Sequence, residues 1–204
     1  MTLLDAGFVA LALTGIFLIL LVVARPQLTV ERGGKILAFI ALFILPLVAS
    51  WIGTTRHLEH SKSTGFCLSC HEMESYGRSL RLANRAYLPA GHFLNNRVPR
   101  DQACYTCHTT YTMFGDVQAK MHGLQHVFVH YLGTIPENIE LYNPYSNREC
   151  LHCHEGARSF EELEDHVDFK QEIASGDTSC LECHDSVHDI ANLEGLETWE
   201  GVSR

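Results

Sequence analysis

Eight cysteines and four histidines stand in one repeated pattern: Cys67-Leu-Ser-Cys70-His71, Cys104-Tyr-Thr-Cys107-His108, Cys150-Leu-His-Cys153-His154 and Cys180-Leu-Glu-Cys183-His184. Two thiols separated by two residues and followed at once by an imidazole form the attachment signature of c-type haem. The thiols bond the porphyrin edge and the histidine reaches the iron from one side. Zinc is the competing reading, because a CxxC pair is also half of many zinc sites. Zinc gives no reason for a histidine after every pair, whereas haem attachment requires one. The expected cofactors are therefore four covalent haems, and the motifs consume every cysteine in the chain.

Several irons need second protein ligands, and nine histidines lie outside the motif positions: 57, 60, 92, 122, 126, 130, 152, 166 and 188. His92, His166 and His188 each sit in a polar segment close in sequence to a motif, and they are the leading candidates. His152 occupies a variable position inside the third motif and is not expected to bind iron. Met73 follows His71 by two residues. Its thioether could serve as an axial ligand or simply pack, and the residue alone does not decide. Residues 116–133 read as a helix on which His122, His126 and His130 share one face at i, i+4 and i+8, suited to accepting protons or to ligation. Lys120 lies about half a turn before His122, on a different part of that surface. Arg78, Arg81 and Arg85 on a helix expected over 79–90 could meet haem propionates or solvent.

These residues must be carried by an unusual chain. Mean hydropathy near zero (−0.01) conceals an apolar N-terminal part and a polar, histidine-rich remainder. Residues 6–24 and 36–53 are uncharged runs long enough to cross a bilayer as helices, the second with Pro46 inside it and Trp51 near its end. The first lacks a basic leader and a small-x-small cleavage site, so it reads as a retained helix rather than a signal peptide. The connection 25–35 carries Arg25, Arg32 and Lys35 against Glu31. The positive-inside rule therefore places it in the cytoplasm and the rest outside. Residues 1–53 form the expected anchor and residues 54–204 a periplasmic domain that starts with a polar neck over 54–65. The fold class expected is mainly α with irregular loops, in which four haems replace a conventional core. A helix over 160–173 around His166 and a peripheral acidic tail after Leu193 complete the reading.

Charge is unevenly spread. From Glu149 onward fifteen acidic residues face Arg158, Lys170 and Arg204, within a net charge of −9. That end is a solvated face or a docking surface for a redox partner. No nucleic-acid partner is expected.

The chain resembles the NapC/NirT (NrfH-like) family of membrane-anchored tetrahaem quinol dehydrogenases. The resemblance runs from about Lys35 to Leu193. It rests on an anchor leading directly into the string Phe66-Cys67-Leu-Ser-Cys70-His71-Glu72-Met73, on Gly133-Thr134, on the order of the four motifs and on the histidine soon after the last. It implies an inner-membrane cytochrome that oxidises quinol and hands electrons to a periplasmic reductase or cytochrome. It makes Met73 the ligand of the first haem in place of His71, puts Lys120 near the quinol, and gives His188 to the second haem. His92 and His166 would serve the third and fourth, in either order. Helix 6–24 is an addition to the family's usual single anchor and would suit a further membrane subunit. Family members carry a carboxylate where this chain has His126 and its neighbours, so His126, or His122, is expected to accept protons or to ligate the first haem. A respiratory-complex subunit without its own quinol site and a terminal reductase acting at an open haem are the other readings. Replacing His126 with alanine is expected to slow quinol oxidation, as read by stopped-flow haem reduction.

Overall fold

The computed structural model describes residues 3–84, 86–136, 139, 141–188, 193 and 195–199, with the side chains of 3–5 excepted. It divides into two units, Met1–Ser61 and Lys62–Arg204.

The first unit is a pair of long helices. α1 (Leu3–Ala24) is apolar on every side, and α2 spans Arg32–His60. Pro46 lacks the N–H that an unbroken α-helix would use, and the chain absorbs this with a π-helical turn over Ile40–Ile44, in which the Leu45 N–H reaches back to Ile40 O. The two helices meet along small residues: Gly15 lies against Leu45, and Ala41 is wholly buried. Close approach over small side chains is how helices associate in lipid. Only 11% of the apolar window of α1 and 6% of that of α2 is buried. A soluble hairpin would hide such surface, so these proportions favour a membrane. The expected neck is instead the end of α2, which stays helical through His60.

The second unit is built from short helices and loops, and its only β-pairing among the described residues is an isolated bridge. In chain order these are α3 (Thr64–Cys67), α4 (Glu74–Ser79), α5 (Leu88–Leu94), α6 (Ala103–Cys107), α7 (Gly115–Leu132), α8 (Asn147–His154), α9 (Arg158–Glu161), α10 (Glu164–Asp168), α11 (Lys170–Ser175) and α12 (Cys180–Cys183). α7 is the long helix expected around the three histidines. Its start is fixed by Gly115, where any Cβ would fall 1.5 Å from Thr110 O.

Three expectations change. Residues 79–90 do not form one helix. Leu82 bridges to Thr198, Ala83 N donates to Glu197 O and Trp199 N to Arg81 O, while Pro89 opens the separate helix α5. An extended pairing and a proline together outcompete local helix propensity. Arg85 lies outside the described residues. The same pairing makes the segment after Leu193 less peripheral than its acidity suggests: Leu193 and Leu196 pack with Leu82, Ala90, Tyr87 and Leu94 in the small apolar cluster of this unit. Finally, 160–173 is broken into pieces of α9, α10 and α11 rather than one helix.

Polar groups supply much of the remaining order. Asn147, at the start of the helix carrying the third motif, donates to Ile173 O (2.9 Å) and Thr178 O (2.7 Å) and accepts from Cys180 N (2.9 Å). One buried amide therefore sets the third motif against the fourth. Asn147→Ala strands three backbone groups and is expected to destabilise the protein by about 3 kcal/mol, measurable as a lower thermal unfolding midpoint.

Candidate functional site

Each motif histidine faces one histidine from elsewhere in the chain. His71 stands opposite His130 with ring centres 6.4 Å apart, His108 opposite His188 at 6.1 Å, His154 opposite His92 at 6.0 Å, and His184 opposite His166 at 6.1 Å. The interplanar angles differ widely, from 18° for His108–His188 to 79° for His92–His154. Ordinary stacking would not hold one distance at every tilt; a shared requirement on the gap does.

The opposing histidines have a second property in common: Nδ1 of each lies close to an oxygen, hydrogen-bonded at His92, His166 and His188 and in ion-pair contact at His130. His92 Nδ1 lies 2.8 Å from Leu88 O, His166 Nδ1 3.2 Å from Phe160 O, and His130 Nδ1 2.7 Å from Glu72 Oε1. His188 Nδ1 is 2.6 Å from Ser79 Oγ, whose own hydroxyl is taken up by Tyr76 O at 2.6 Å, so the imidazole is the donor. A proton held on Nδ1 leaves Nε2 bare, the state a metal requires. His188 also adopts φ +41°, a left-handed backbone that few non-glycine residues take, and burial pushes its pKa down to about 4.

His122, His126 and His152 are placed differently. His122 uses Nε2 itself, 3.1 Å from Asn143 Nδ2. His126 lies on Tyr142 at 4.4 Å, with burial and then His122 lowering its pKa. His152 stacks on Tyr111 at 3.6 Å. His130 is thus the residue that motif spacing did not single out. On sequence it is the third of three equivalent positions on α7, and only the fold distinguishes it.

The donor set was tested against the two candidate groups. Among the described residues no three or more His, Cys, Asp or Glu side chains converge as a metal cage, which structural zinc would need. Opposed pairs suit an iron whose other four ligands come from a porphyrin. Imidazole nitrogens at about 2 Å on either side of one ion put the ring centres roughly 6 Å apart, as observed. The residues fit haem.

The thiols of successive motifs perturb one another. Cys104 lowers the Cys67 thiol to about 7, against burial and with the Lys120 charge assisting, and Cys104 is raised in turn. Burial, and then Cys153, raise Cys107, and Cys150 is pushed up to about 12 by burial and then by Cys180.

α7 divides into two faces. His122, His126 and His130 are half-buried, while Val117, Met121, Leu124, Phe128 and Tyr131 form an exposed ridge at helical spacing on the opposite side. Lys120 lies between them, its ammonium 4.8 Å from the centre of the Tyr105 ring. Asp116, one turn earlier, accepts from Tyr105 and from Lys62 (2.8 Å), and these two bonds hold its carboxyl below the usual range. Met73 closes the 3-10 turn His71–Met73 and is half-buried.

Comparison with known proteins agrees with this reading of the motifs. The family described as "NapC/NirT cytochrome c family, N-terminal region" matches residues 30–193. Among characterised relatives, the "Cytochrome c-type protein NapC" of Haemophilus influenzae is 22% identical, covering 74% of this chain and 80% of its own. NapC of Paracoccus pantotrophus is 26% identical, covering 74% and 68%, and NapC of Escherichia coli K12 is 22% identical, covering 74% and 80%. No solved structure matches.

Proposed function

Because the chain belongs to the NapC/NirT cytochrome c family, we propose that it oxidises membrane quinol and passes the electrons through four c-type haems to a periplasmic reductase or cytochrome. The coarser role, electron transfer by a membrane cytochrome with a two-pass inner-membrane anchor, follows from the family and from the two apolar helices. The observation carrying the finer reading is the set of four opposed histidine pairs, each with one ring tied at Nδ1.

A bound haem supplies a one-electron carrier; the side chains do the rest. The eight thiols would attach the four haems, one at each motif. His188 would hold the second iron with His108, His92 the third with His154, and His166 the fourth with His184. The facing of His92 with His154 and of His166 with His184 supports one of the two orders that sequence leaves open. Pairs of imidazoles on those three irons leave no position for substrate, which speaks against a terminal reductase there.

Quinol would be met at the first motif, seven residues after the last turn of α2. Lys120 would attract the quinol oxygen and favour its deprotonated form. His126 and His122, half-buried on one face of α7, would receive the protons. The exposed apolar ridge of α7 suits a lipid-borne substrate. The positive loop 25–35 supports placing residues 54–204 on the periplasmic side, and the acidic C-terminal part would be the exit toward a partner.

The detergent-purified protein should be reduced within a stopped-flow trace by a menaquinol analogue and blocked by a quinol-site inhibitor. Failure to reduce would leave a relay subunit without its own quinol site. Single His92→Ala, His166→Ala and His188→Ala variants should each retain four haems by pyridine haemochrome assay but convert one of them to high spin.

A further inference from the structure

The first motif is where the structure departs from what the family resemblance implies. There Met73 would be the ligand, and the motif histidine would stand aside. Instead His71 and His130 are opposed at 6.4 Å, within a few tenths of an ångström of the other three pairs. Glu72 lies between them with one oxygen on each ring: Oε1 is 2.7 Å from His130 Nδ1 and Oε2 is 3.3 Å from His71 Nδ1. The Glu72 side chain is only 17% exposed, and Oε1 itself is sealed from solvent. Oε1 makes no hydrogen bond of good geometry, so its tie to His130 is a close ion-pair contact, with the His130 ring within reach to donate to it.

Resting on the haem reading above, we infer that His71 and His130 are the two protein ligands of the first iron, that Met73 is not, and that Glu72 is a positioning residue holding both imidazoles by their Nδ1 atoms. The logic is the same for all four pairs. A proton fixed on Nδ1 by an acceptor leaves Nε2 as a lone-pair donor. At the other three sites the acceptor on the opposing ring is a neutral carbonyl or hydroxyl oxygen: Leu88 O, Phe160 O and Ser79 Oγ. Only the first site uses a carboxylate, and it serves both rings. A carboxylate on Nδ1 makes the imidazole a stronger donor and stabilises the oxidised iron. The first haem is therefore coordinatively saturated, low-spin and set to low potential, the opposite of what a thioether ligand gives.

The inference has consequences for α7. His130 is withdrawn from the proton-accepting set, leaving His122 and His126 to that role, and the helix becomes a strut whose far end binds iron. A quinol beside it gives up electrons without becoming a ligand.

The test uses the full-length holoprotein in detergent. The wild type should carry four haems by pyridine haemochrome, all low-spin by magnetic circular dichroism and EPR, and none should bind carbon monoxide after reduction. His130→Ala should turn one haem in four high-spin and open it to carbon monoxide, while Met73→Leu leaves the spectra unchanged. His130→Met keeps a ligand in place and serves if the alanine variant does not assemble; it should remain low-spin, gain a thioether–iron charge-transfer band and raise one midpoint potential. Glu72→Gln should stay low-spin and raise one midpoint, a readout that a merely structural carboxylate would not move. The inference is overturned if Met73→Leu produces the high-spin haem, or if His130→Ala or His130→Met leaves every band unaltered. A wild-type count below four haems would instead overturn the tetrahaem reading, and the inference with it.

Discussion

The structure depends on one constraint. An imidazole can offer a bare nitrogen across a fixed gap only when its other nitrogen is held. Four histidines meet it, and each does so with a different local device: a carbonyl one helical turn back for His92, a loop carbonyl for His166, a serine hydroxyl for His188 and a carboxylate for His130. Around these points the chain has few other choices. α4 must end so that Ser79 is buried beside His188, and α5 must begin at Leu88 so that Leu88 O lies below His92. Even the left-handed backbone at His188 follows, as a local strain tolerated because ring and hydroxyl must meet.

A domain so arranged has little apolar interior of its own. The cluster around Leu82, Ala90 and Leu193 would not by itself order a unit of this size. Polar fastenings carry the load that remains. Asn147 binds the third motif to the fourth, Lys62 and Tyr105 share Asp116, and Tyr76 donates to Ile139 O. Many of these bonds join segments that themselves carry a motif, so folding and the spacing of the attachment points are one problem.

Legibility in the sequence tracked the range of the interactions concerned. The motifs, the two apolar helices and α7 are written in local spacing, and all three could be read without coordinates. The broken segments could not. Helix propensity over 79–90 is overruled by a partner more than a hundred residues away at Thr198, and the run 160–173 is divided where Leu163 and Phe169 leave the helix. Distal histidines fall between these cases. Proximity to a motif picked out His92, His166 and His188, but which motif histidine each one faces is a tertiary fact. His92 precedes the second motif in sequence and yet faces the histidine of the third. For His130 no local signal exists, because His122 and His126 share its face and its residue type.

The two faces of α7 follow from this division of labour. Residues four apart rise about 6 Å along a helix, so one face sets His130 opposite His71 and His126 and His122 at successive distances from that pair. The opposite face is then free of any duty toward the motifs, and it is apolar from Val117 to Tyr131. In a purely soluble domain that ridge would be a liability. On the proposal of quinol oxidation, it is the surface that a lipid-borne reductant would meet. Lys120 sits between the two faces, where an apolar molecule with a polar head would turn from one to the other. On the proposed reading one helix would both hold the iron and define the approach to it, and a change of register by one residue would lose both functions together.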